Sequence, residues 1–164
     1  MKIIPIHYTI SEPVITWDQI KEKARELVEY INTGTFHTKP MALSHCQVSE
    51  RPFSFFVVHK DFVDSGMFDH QIIINAVIET GKDIVRVKEG CMSFPHRKEK
   101  NVDRYSTITV RYLIPTLPIP DCFTVSECML KEVKEQCTGV KAELFQHECS
   151  HTQGKNIFHD RPKT

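Results

Sequence analysis

The sequence predicts an α+β domain with a helix near each end and several strands between them. Two observations favour this class. Helical periodicity is found at residues 17–31 and 138–151, whereas the segments between them are rich in β-branched and aromatic residues. Helices and strands therefore do not alternate as they would in βαβ units. We expect one domain over residues 1–164, in which the strand-rich middle packs around the last helix.

The first helix is predicted from the spacing of its apolar residues. From Trp17 to Ile31 these residues recur mostly three or four positions apart, which places them on one face of a helix. Thr16 and Gln19 form a capping box at the start, and Asn-Thr-Gly at 32–34 supplies the stop. The pattern therefore predicts an amphipathic helix between these two signals.

The middle of the chain is predicted to form strands. The segments with strand composition, separated by Gly, Asp and Asn, are 53–58, 71–79, 83–87 and 106–114. Residues 115–121 contain three prolines and suit a turn or an exposed connection better than a central strand. Residues 128–136 alternate well enough to predict a further strand before the last helix.

The last helix carries the first candidate site. Thr138 can cap it, and its inward face is predicted to carry Val140, Leu144, His147 and His151. The i, i+4 spacing of the two histidines lets both imidazoles bind one divalent metal ion. Glu148, one step around the helix, is close enough to act on a water bound to that metal. Because the same pattern also occurs on exposed helices without metal, a third ligand is needed to decide.

Charge and composition exclude several classes of partner. Lys and Arg total 21 and Asp and Glu total 21, so no net positive field is available to hold nucleic acid as a main partner. No apolar run approaches the about 20 residues that a membrane span needs, so no membrane partner is expected. The N-terminus does not resemble a signal peptide, and the six cysteines lack paired C-x-x-C spacing. We expect thiols rather than a disulfide framework, in the compartment of synthesis.

Cys91 is the candidate third ligand. It follows a glycine at the end of a predicted strand, within Glu-Gly-Cys-Met-Ser at 89–93. Alone, such a cysteine is more often a small buried thiol. In combination with Gln-His-Glu-x-x-His at 146–151, the segment resembles the peptide deformylase family, whose second and third motifs have this form and order. The resemblance covers roughly residues 20–158.

The resemblance implies a fold, a metal and a reaction. The family has antiparallel sheets packed around a central C-terminal metal-binding helix, with ligands here at Cys91, His147 and His151. Its ion is generally Fe²⁺, and Zn²⁺, Ni²⁺ or Co²⁺ can occupy the site. Three protein ligands leave one tetrahedral position for water, whose pKa falls to roughly 7 on the metal. The resulting hydroxide is expected to attack the formyl carbon of an N-formylmethionyl peptide.

The same resemblance implies the remaining site residues. The oxyanion is assigned to the Gln47 side-chain amide and the backbone N–H of Met92, and Glu148 passes the proton to the leaving nitrogen. The expected partner is the nascent peptide at the ribosome exit. The expected compartment is the cytoplasm of a bacterium, which also holds if the gene is phage-encoded. The substrate pocket is predicted to be lined by Met41, Ala42, Leu43, Val140 and Leu144.

Some positions depart from the family pattern. The first motif can only be residues 39–47, where Ala42 stands for a glycine, and Ser44 and His45 stand for two alanines. Glu143 lies where the family usually has an apolar residue, and Ser150 replaces an aspartate. These substitutions affect the expected substrate edge more than the expected metal ligands. A separate acid, Glu89, either pairs with Arg104 beneath the cysteine or is a solvated charge.

Two alternatives to a deformylase stay open. A family member could keep the metal but lack turnover and act as a binding or decoy protein, as the altered first motif suggests. A zinc peptidase would instead need a carboxylate ligand downstream of His151, where Asp160 is the sole acid. The presence of Glu148 speaks against a decoy, because a protein that only binds metal has no need of a proton-transfer group.

Overall fold

The computed structural model describes residues 1–4, 10–91, 93 and 97–157. Within these residues five antiparallel strands form one sheet in the order of the chain, with helices packed against it, so the α+β prediction is confirmed. No helix in these ranges is long and apolar enough to cross a membrane. The strands are β1 (Ala42–Ser44), β2 (Phe55–Val58), β3 (Ile72–Glu89), β4 (Lys100–Pro115) and β5 (Leu130–Thr138). The α-helices are α1 (Lys21–Thr33), α2 (Lys60–Asp64), α3 (Asp121–Thr124) and α4 (Gly139–Thr152).

Helix α1 covers one face of the sheet. The predicted capping box is present, with Thr16 and Gln19 each bonding to the other's backbone, but it opens a 3₁₀ turn at Trp17–Gln19 and the α-helix follows it. Leu27 and Ile31 are buried on the predicted apolar face. Burial of such a side chain contributes roughly 1.5–3 kcal/mol, so this stripe accounts for much of the helix's attachment to the sheet.

Strand β2 is buried on both faces and separates two cores. Phe55 and Val57 pack into the core on the α1 side, whereas Phe56 and Val58 pack into the core beneath α4. Successive strand residues point to opposite faces, so a strand covered on both sides reads as a continuous apolar run. This explains why Phe-Phe-Val-Val shows no alternation between apolar and polar residues.

Strands β3 and β4 form one long hairpin. The prediction of separate strands at 71–79 and 83–87 was wrong, because Gly81 stays in the ladder opposite Ile108. Two register shifts, between Ile74 and Val77 and between Ile78 and Thr80, are absorbed as bulges within the strand, the first of them with a positive φ at Asn75. Strand β4 likewise begins earlier than predicted, where Lys100 pairs with Glu89. The hairpin therefore extends to the segment that carries Cys91.

Helix α4 follows β5 directly, and the side chain of Gln146 bonds it to strand β4. Thr138 occupies the N-cap position, but its side chain makes no cap bond to the described residues of the helix. Strand β5 ends at Thr138, opposite Thr107 on β4. Just beyond, the Gln146 carboxamide accepts the Tyr105 N–H at 2.8 Å and donates to the Tyr105 carbonyl at 2.9 Å. Gln146 thus takes the place of a further β5 residue and holds the helix against the hairpin.

Candidate metal centre

Three potential ligands converge between α4 and the end of the hairpin. The ligand atoms of Cys91, His147 and His151 all lie within 4.8 Å of one another. The Nε2 atoms of the two histidines are 3.0 Å apart, and Cys91 Sγ lies 3.5 Å from His151 Nε2. Cys91 and His151 are buried, at 9% and 1% exposed. The predicted i, i+4 pair and the glycine-preceded cysteine are therefore brought together.

The two histidines are held in an orientation that suits a metal. His147 Nδ1 bonds to Glu89 Oε1 at 2.7 Å, and His151 Nδ1 bonds to the Lys155 carbonyl at 3.0 Å. Because each Nδ1 has a partner on the far side, each Nε2 is directed at the point shared with Cys91. Two imidazole nitrogens and one sulfur form a donor set that suits several divalent first-row metals. The residues present therefore fit one such ion.

Glu89 is the charged anchor beneath this site. Arg104 donates two hydrogen bonds to its carboxylate, both at 2.8 Å, so the predicted pair is confirmed and a solvated charge is excluded. Burial acts to raise the pKa of Glu89, but the bonds from Arg104 and His147 outweigh it and lower that pKa to about 2. Glu89 therefore stays ionised and orients His147. The contact with His147 was not predicted; the only sequence signal was an acid at the end of the strand that leads to the cysteine.

The histidines themselves differ in their affinity for a proton. Burial lowers the pKa of His151 to about 3, so its imidazole is neutral. For His147 burial also opposes the charge, but hydrogen bonds with Cys91 and Glu89 raise its pKa to about 10. A metal on His147 has to displace that proton, which makes metal affinity at this site dependent on pH.

Glu148 is buried next to the ligands with a free oxygen. It is 3% exposed, and its Oε2 has no hydrogen-bond partner among the described residues. Burial raises its pKa to about 7. A carboxyl group with a free oxygen and a pKa in this range can both accept and return a proton near neutral pH.

Gln47 is buried close to the segment that carries Cys91. Its Oε1 accepts the Ser44 N–H at 2.9 Å, which leaves its Nε2 as the group that donates to Ser93 Oγ at 3.2 Å. The partner Ser93 was not singled out from the sequence, although it belongs to the same motif as Cys91. Met92, predicted as the second donor, lies outside the described residues.

The site opens into a cavity of about 420 Å³, which we call the site cavity. Of the predicted pocket residues, Met41, Ala42, Val140 and Leu144 line it. Leu43 does not: it is fully buried in the core on the α1 side. Its assignment to the pocket was wrong because neighbours on strand β1 point to opposite faces of the sheet.

His45 belongs to the core. Its Nδ1 accepts the Phe53 N–H at 2.9 Å, and its ring stacks on Phe55 with centroids 4.8 Å apart. Burial, with a smaller effect from Lys23, lowers its pKa to about 4. The substitution for alanine in the first motif therefore adds a neutral, hydrogen-bonded imidazole to the packing beneath β1.

A family model described as polypeptide deformylase matches residues 4–116, which is more than half of the chain. The chain belongs to the polypeptide deformylase family. The match to the family model ends before α4. The geometry of the site is therefore what supports His147 and His151 as potential metal ligands. Peptide deformylase 2 of Streptomyces coelicolor is 30% identical over 135 residues, covering 82% of this chain. The chain spans 66% of that relative, slightly less than two thirds of its length.

Solved deformylases share the fold. The PDF from the Vibrio parahaemolyticus bacteriophage VP16T, solved in complex with actinonin, superposes with a TM-score of 0.70 at 21% identity, over 96% of this chain and 100% of that one. The deformylase from Thermotoga maritima gives 0.67 at 21% identity, covering 95% of each chain. That from Legionella pneumophila gives 0.70 at 22% identity, over 94% and 82%. At these identities the likeness shows the fold alone. The shared fold agrees with the α+β class predicted from the sequence.

Proposed function

We propose that this protein is a metal-dependent hydrolase that removes the N-terminal formyl group from formylmethionyl peptides of nascent proteins. One observation carries the proposal: in a member of the deformylase family, the thiol and two imidazoles converge beside Glu148, whose Oε2 is buried without a hydrogen-bond partner among the described residues. A buried, unpaired carboxyl oxygen is costly unless a ligand or water bonds to it. Its presence next to three metal donors supports a catalytic metal site rather than a site that only binds metal.

The metal is held by Cys91, His147 and His151 in this proposal, with Fe²⁺ as the native ion. When bound, a divalent ion supplies Lewis-acid activation of water and of the formyl carbonyl. The donor set also suits Zn²⁺, Ni²⁺ and Co²⁺, so the preference for iron rests on the family resemblance. Glu89 and Arg104 support the assignment because they keep the His147 ring in the orientation that presents its Nε2.

The protein's own groups move the proton and stabilise the developing charge. Glu148 accepts a proton from the attacking water and returns it to the peptide nitrogen as the carbon–nitrogen bond breaks. The products are formate and a peptide with a free amino terminus. Gln47 Nε2 donates to the oxygen that becomes negatively charged, and the backbone N–H of Met92 is the second donor by resemblance. The bond from Ser44 to Gln47 Oε1 supports this role, since it directs the donor end of the amide away from β1.

The substrate is proposed to lie along β1. This strand is at the edge of the sheet among the described residues, so an extended peptide can add to it as a further strand. Met41, Ala42, Val140 and Leu144 supply an apolar wall for the methionine side chain. We place the reaction at the ribosome exit in the cytoplasm of a bacterium, including a phage-infected one, because formylated nascent chains arise there. We also propose that residues 1–164 act as one domain, since β2 belongs to both cores.

Formate release from formyl-Met-Ala-Ser by anaerobically purified protein, with metal analysis on the same sample, tests the proposal. We expect turnover with iron bound and retained turnover after exchange to nickel or cobalt. Absence of formate release with each of these ions would exclude a deformylase and favour the decoy. The zinc-peptidase alternative is disfavoured because the third potential ligand in the structure is the Cys91 thiol, whereas such a peptidase needs a carboxylate downstream of His151. The sole acid downstream of His151, Asp160, lies outside the described residues.

A further inference from the structure

Strand β5 forms the edge of the sheet opposite the proposed substrate strand. Among the described residues it pairs with β4 alone, and the strand order ends there. The carbonyl of Met129, the residue before β5, accepts the N–H of Thr116, the residue after β4, at 2.9 Å. Residues of an antiparallel strand direct their backbone groups to alternate sides, so Glu132, Lys134 and Gln136 direct theirs away from β4. Such a row of donors and acceptors is a template for a further strand.

Charged side chains usually keep such an edge from pairing, but those of β5 are ordered so that the strand complements itself. Its sequence is Leu-Lys-Glu-Val-Lys-Glu-Gln-Cys-Thr. When two copies pair antiparallel with Val133 at the centre, Lys131 of one copy lies opposite Glu135 of the other. Glu132 likewise lies opposite Lys134, and by symmetry each pair occurs twice. Opposite charges directly across a strand pair stabilise it, whereas like charges destabilise it.

Only one register gives this match. Bonded residues must both direct their backbone groups towards the partner, which here limits the bonded pairs to even-numbered residues opposite even-numbered ones. Moving the centre by one residue along the strand keeps that rule, but it places Glu132 opposite Glu132 of the other copy, or Lys134 opposite Lys134. At the matched register the two Val133 side chains meet at a narrow pair, and the residues on either side supply about eight hydrogen bonds. Charge therefore selects one of the registers that the backbone allows.

Glu132 and Lys134 already have partners on their own copy. Glu132 is 3.4 Å from Arg111, and Lys134 is 3.1 Å from Glu79. Both side chains are still largely exposed, at 56% and 61%. A carboxylate accepts several hydrogen bonds and an ammonium group donates three, so each can bond to a second copy while it keeps its present partner. The contacts within the chain are therefore compatible with pairing between copies.

We propose that β5 is a self-association surface, through which two copies of the chain form one continuous sheet about a two-fold axis at Val133. Because both copies use the same edge, the assembly closes at two copies. A single strand pair is a small interface, so the dimer is reversible and depends on concentration. Strand β1, where the substrate peptide is proposed to add, is at the other end of the strand order and is not used. The dimer is therefore independent of the proposed deformylase function.

Exchanging the charges tests the register. Sedimentation velocity of the metal-loaded protein over a concentration series should show the 19.0 kDa chain passing into a dimer. Glu132→Lys and Lys134→Glu each place like charges opposite each other and should weaken association about tenfold or more. An equimolar mixture of the two should form the dimer again, since one copy then carries two lysines and the other two glutamates. Glu26→Lys, which changes an exposed acid on α1, is the control: alone it should associate like the natural protein, and it should not rescue Lys134→Glu.

A cross-link tests the position of the axis. In the proposed dimer residue 133 meets itself, so Val133→Cys should form a disulfide-linked dimer in oxidised glutathione, whereas Lys131→Cys, which lies opposite Glu135, should not. All six natural cysteines are buried, so they should not contribute a cross-link. Circular dichroism establishes that each variant is folded. A natural protein that stays monomeric at every concentration overturns the inference, and so does a dimer that neither charge variant weakens. A mixture that does not associate, or equal cross-linking of the two cysteine variants, overturns it as well.

Discussion

The two ends of the site cavity differ in how completely their polar groups are satisfied. At the metal end each histidine has a partner for its Nδ1, and Glu89 is bonded by Arg104; the exception is Glu148 Oε2, which has no hydrogen-bond partner among the described residues. At the substrate end Glu143 is half-buried in the cavity wall and makes no hydrogen bond or ion pair with the described residues. The metal end keeps the family's three ligand residues, with Ser150 in place of an aspartate, whereas the substrate end departs from the family pattern at Ala42 and Glu143. The bonded network of Glu89, Arg104 and the two histidines tolerates little change, because each lost partner leaves a buried group unsatisfied.

The largest effect is expected from removing a ligand. Cys91→Ala should lose its metal and with it formate release, because two imidazoles alone give an incomplete donor set. Metal content per chain after gel filtration measures this. Cys137→Ala is the matched control, since Cys137 is also a buried thiol but lies in the core beneath α4. Full metal content in Cys91→Ala would show that another group is the third ligand.

A smaller but still large loss is expected from the proton-transfer group. Glu148→Ala should keep its metal and lose about 10²–10⁴-fold in kcat, the usual contribution of a positioned acid–base group. Single-turnover formate release and metal analysis of the same preparation test it. Near-normal turnover in a folded, metal-loaded Glu148→Ala protein would mean that the proton travels by another route.

Removing the Arg104 bonds to Glu89, the acid that orients His147, should have an intermediate effect, on metal affinity. Arg104→Leu leaves Glu89 buried without its two charged hydrogen bonds, and the loss of such a supporting contact typically lowers metal affinity about 10–100-fold. Arg104→Lys keeps the charge but not the paired geometry, and should lie between Arg104→Leu and the natural protein. Competition with a chelator ranks the three proteins. Equal affinity in all three would contradict the role given to the anchor.

The smallest effect on turnover is expected at His45, whose contribution is to stability. Its pKa of about 4 in the folded protein is below the unfolded value near 6.5, so the unfolded chain binds the proton more tightly. The stability that depends on neutral His45 is complete above about pH 6.5 and is lost as the pH falls towards 4. Between pH 7 and pH 5 this loss is about 2 kcal/mol.

His45→Gln tests that prediction because glutamine can accept the Phe53 N–H but does not titrate. Denaturant unfolding at pH 7 and at pH 5 should show a smaller drop in the free energy of unfolding for the variant than for the natural protein. The same drop in both would assign the acid sensitivity to other groups, such as His59 and His70, whose pKa values burial also lowers.

Much of the fold was predictable because its signals are local. The capping box at Thr16 and Gln19 opens the 3₁₀ turn that leads into α1, and Gln-His-Glu-x-x-His lies on α4. The continuity of β3 was not predictable, since Thr80 and Gly81 read as a turn. Only the pairing of Gly81 with Ile108 across the hairpin shows that the strand continues. Such pairing depends on residues far apart in the chain, which a local pattern does not contain.

The site shows the same limit. The spacing of the histidines and the Gly-Cys sequence indicated three groups that the structure brings together. Leu43 was misassigned because one residue along a strand changes the face, and a short motif does not tell which face is which. The contact between Glu89 and His147 also needed the structure, since it joins the end of β3 to a helix formed much later in the chain.

The side chain of Gln146 links helix α4 to strand β4 of the hairpin, so the bonds at Tyr105 break when the helix detaches. A carboxamide copies the donor and acceptor of a peptide group; asparagine is one methylene shorter, and ionised glutamate has no donor. Because Gln146 Oε1 accepts the Tyr105 N–H, that amide hydrogen can exchange with deuterium only when α4 leaves β4. The exchange rate at Tyr105 therefore measures how often the metal-binding helix detaches, and it should slow when a metal joins α4 to Cys91.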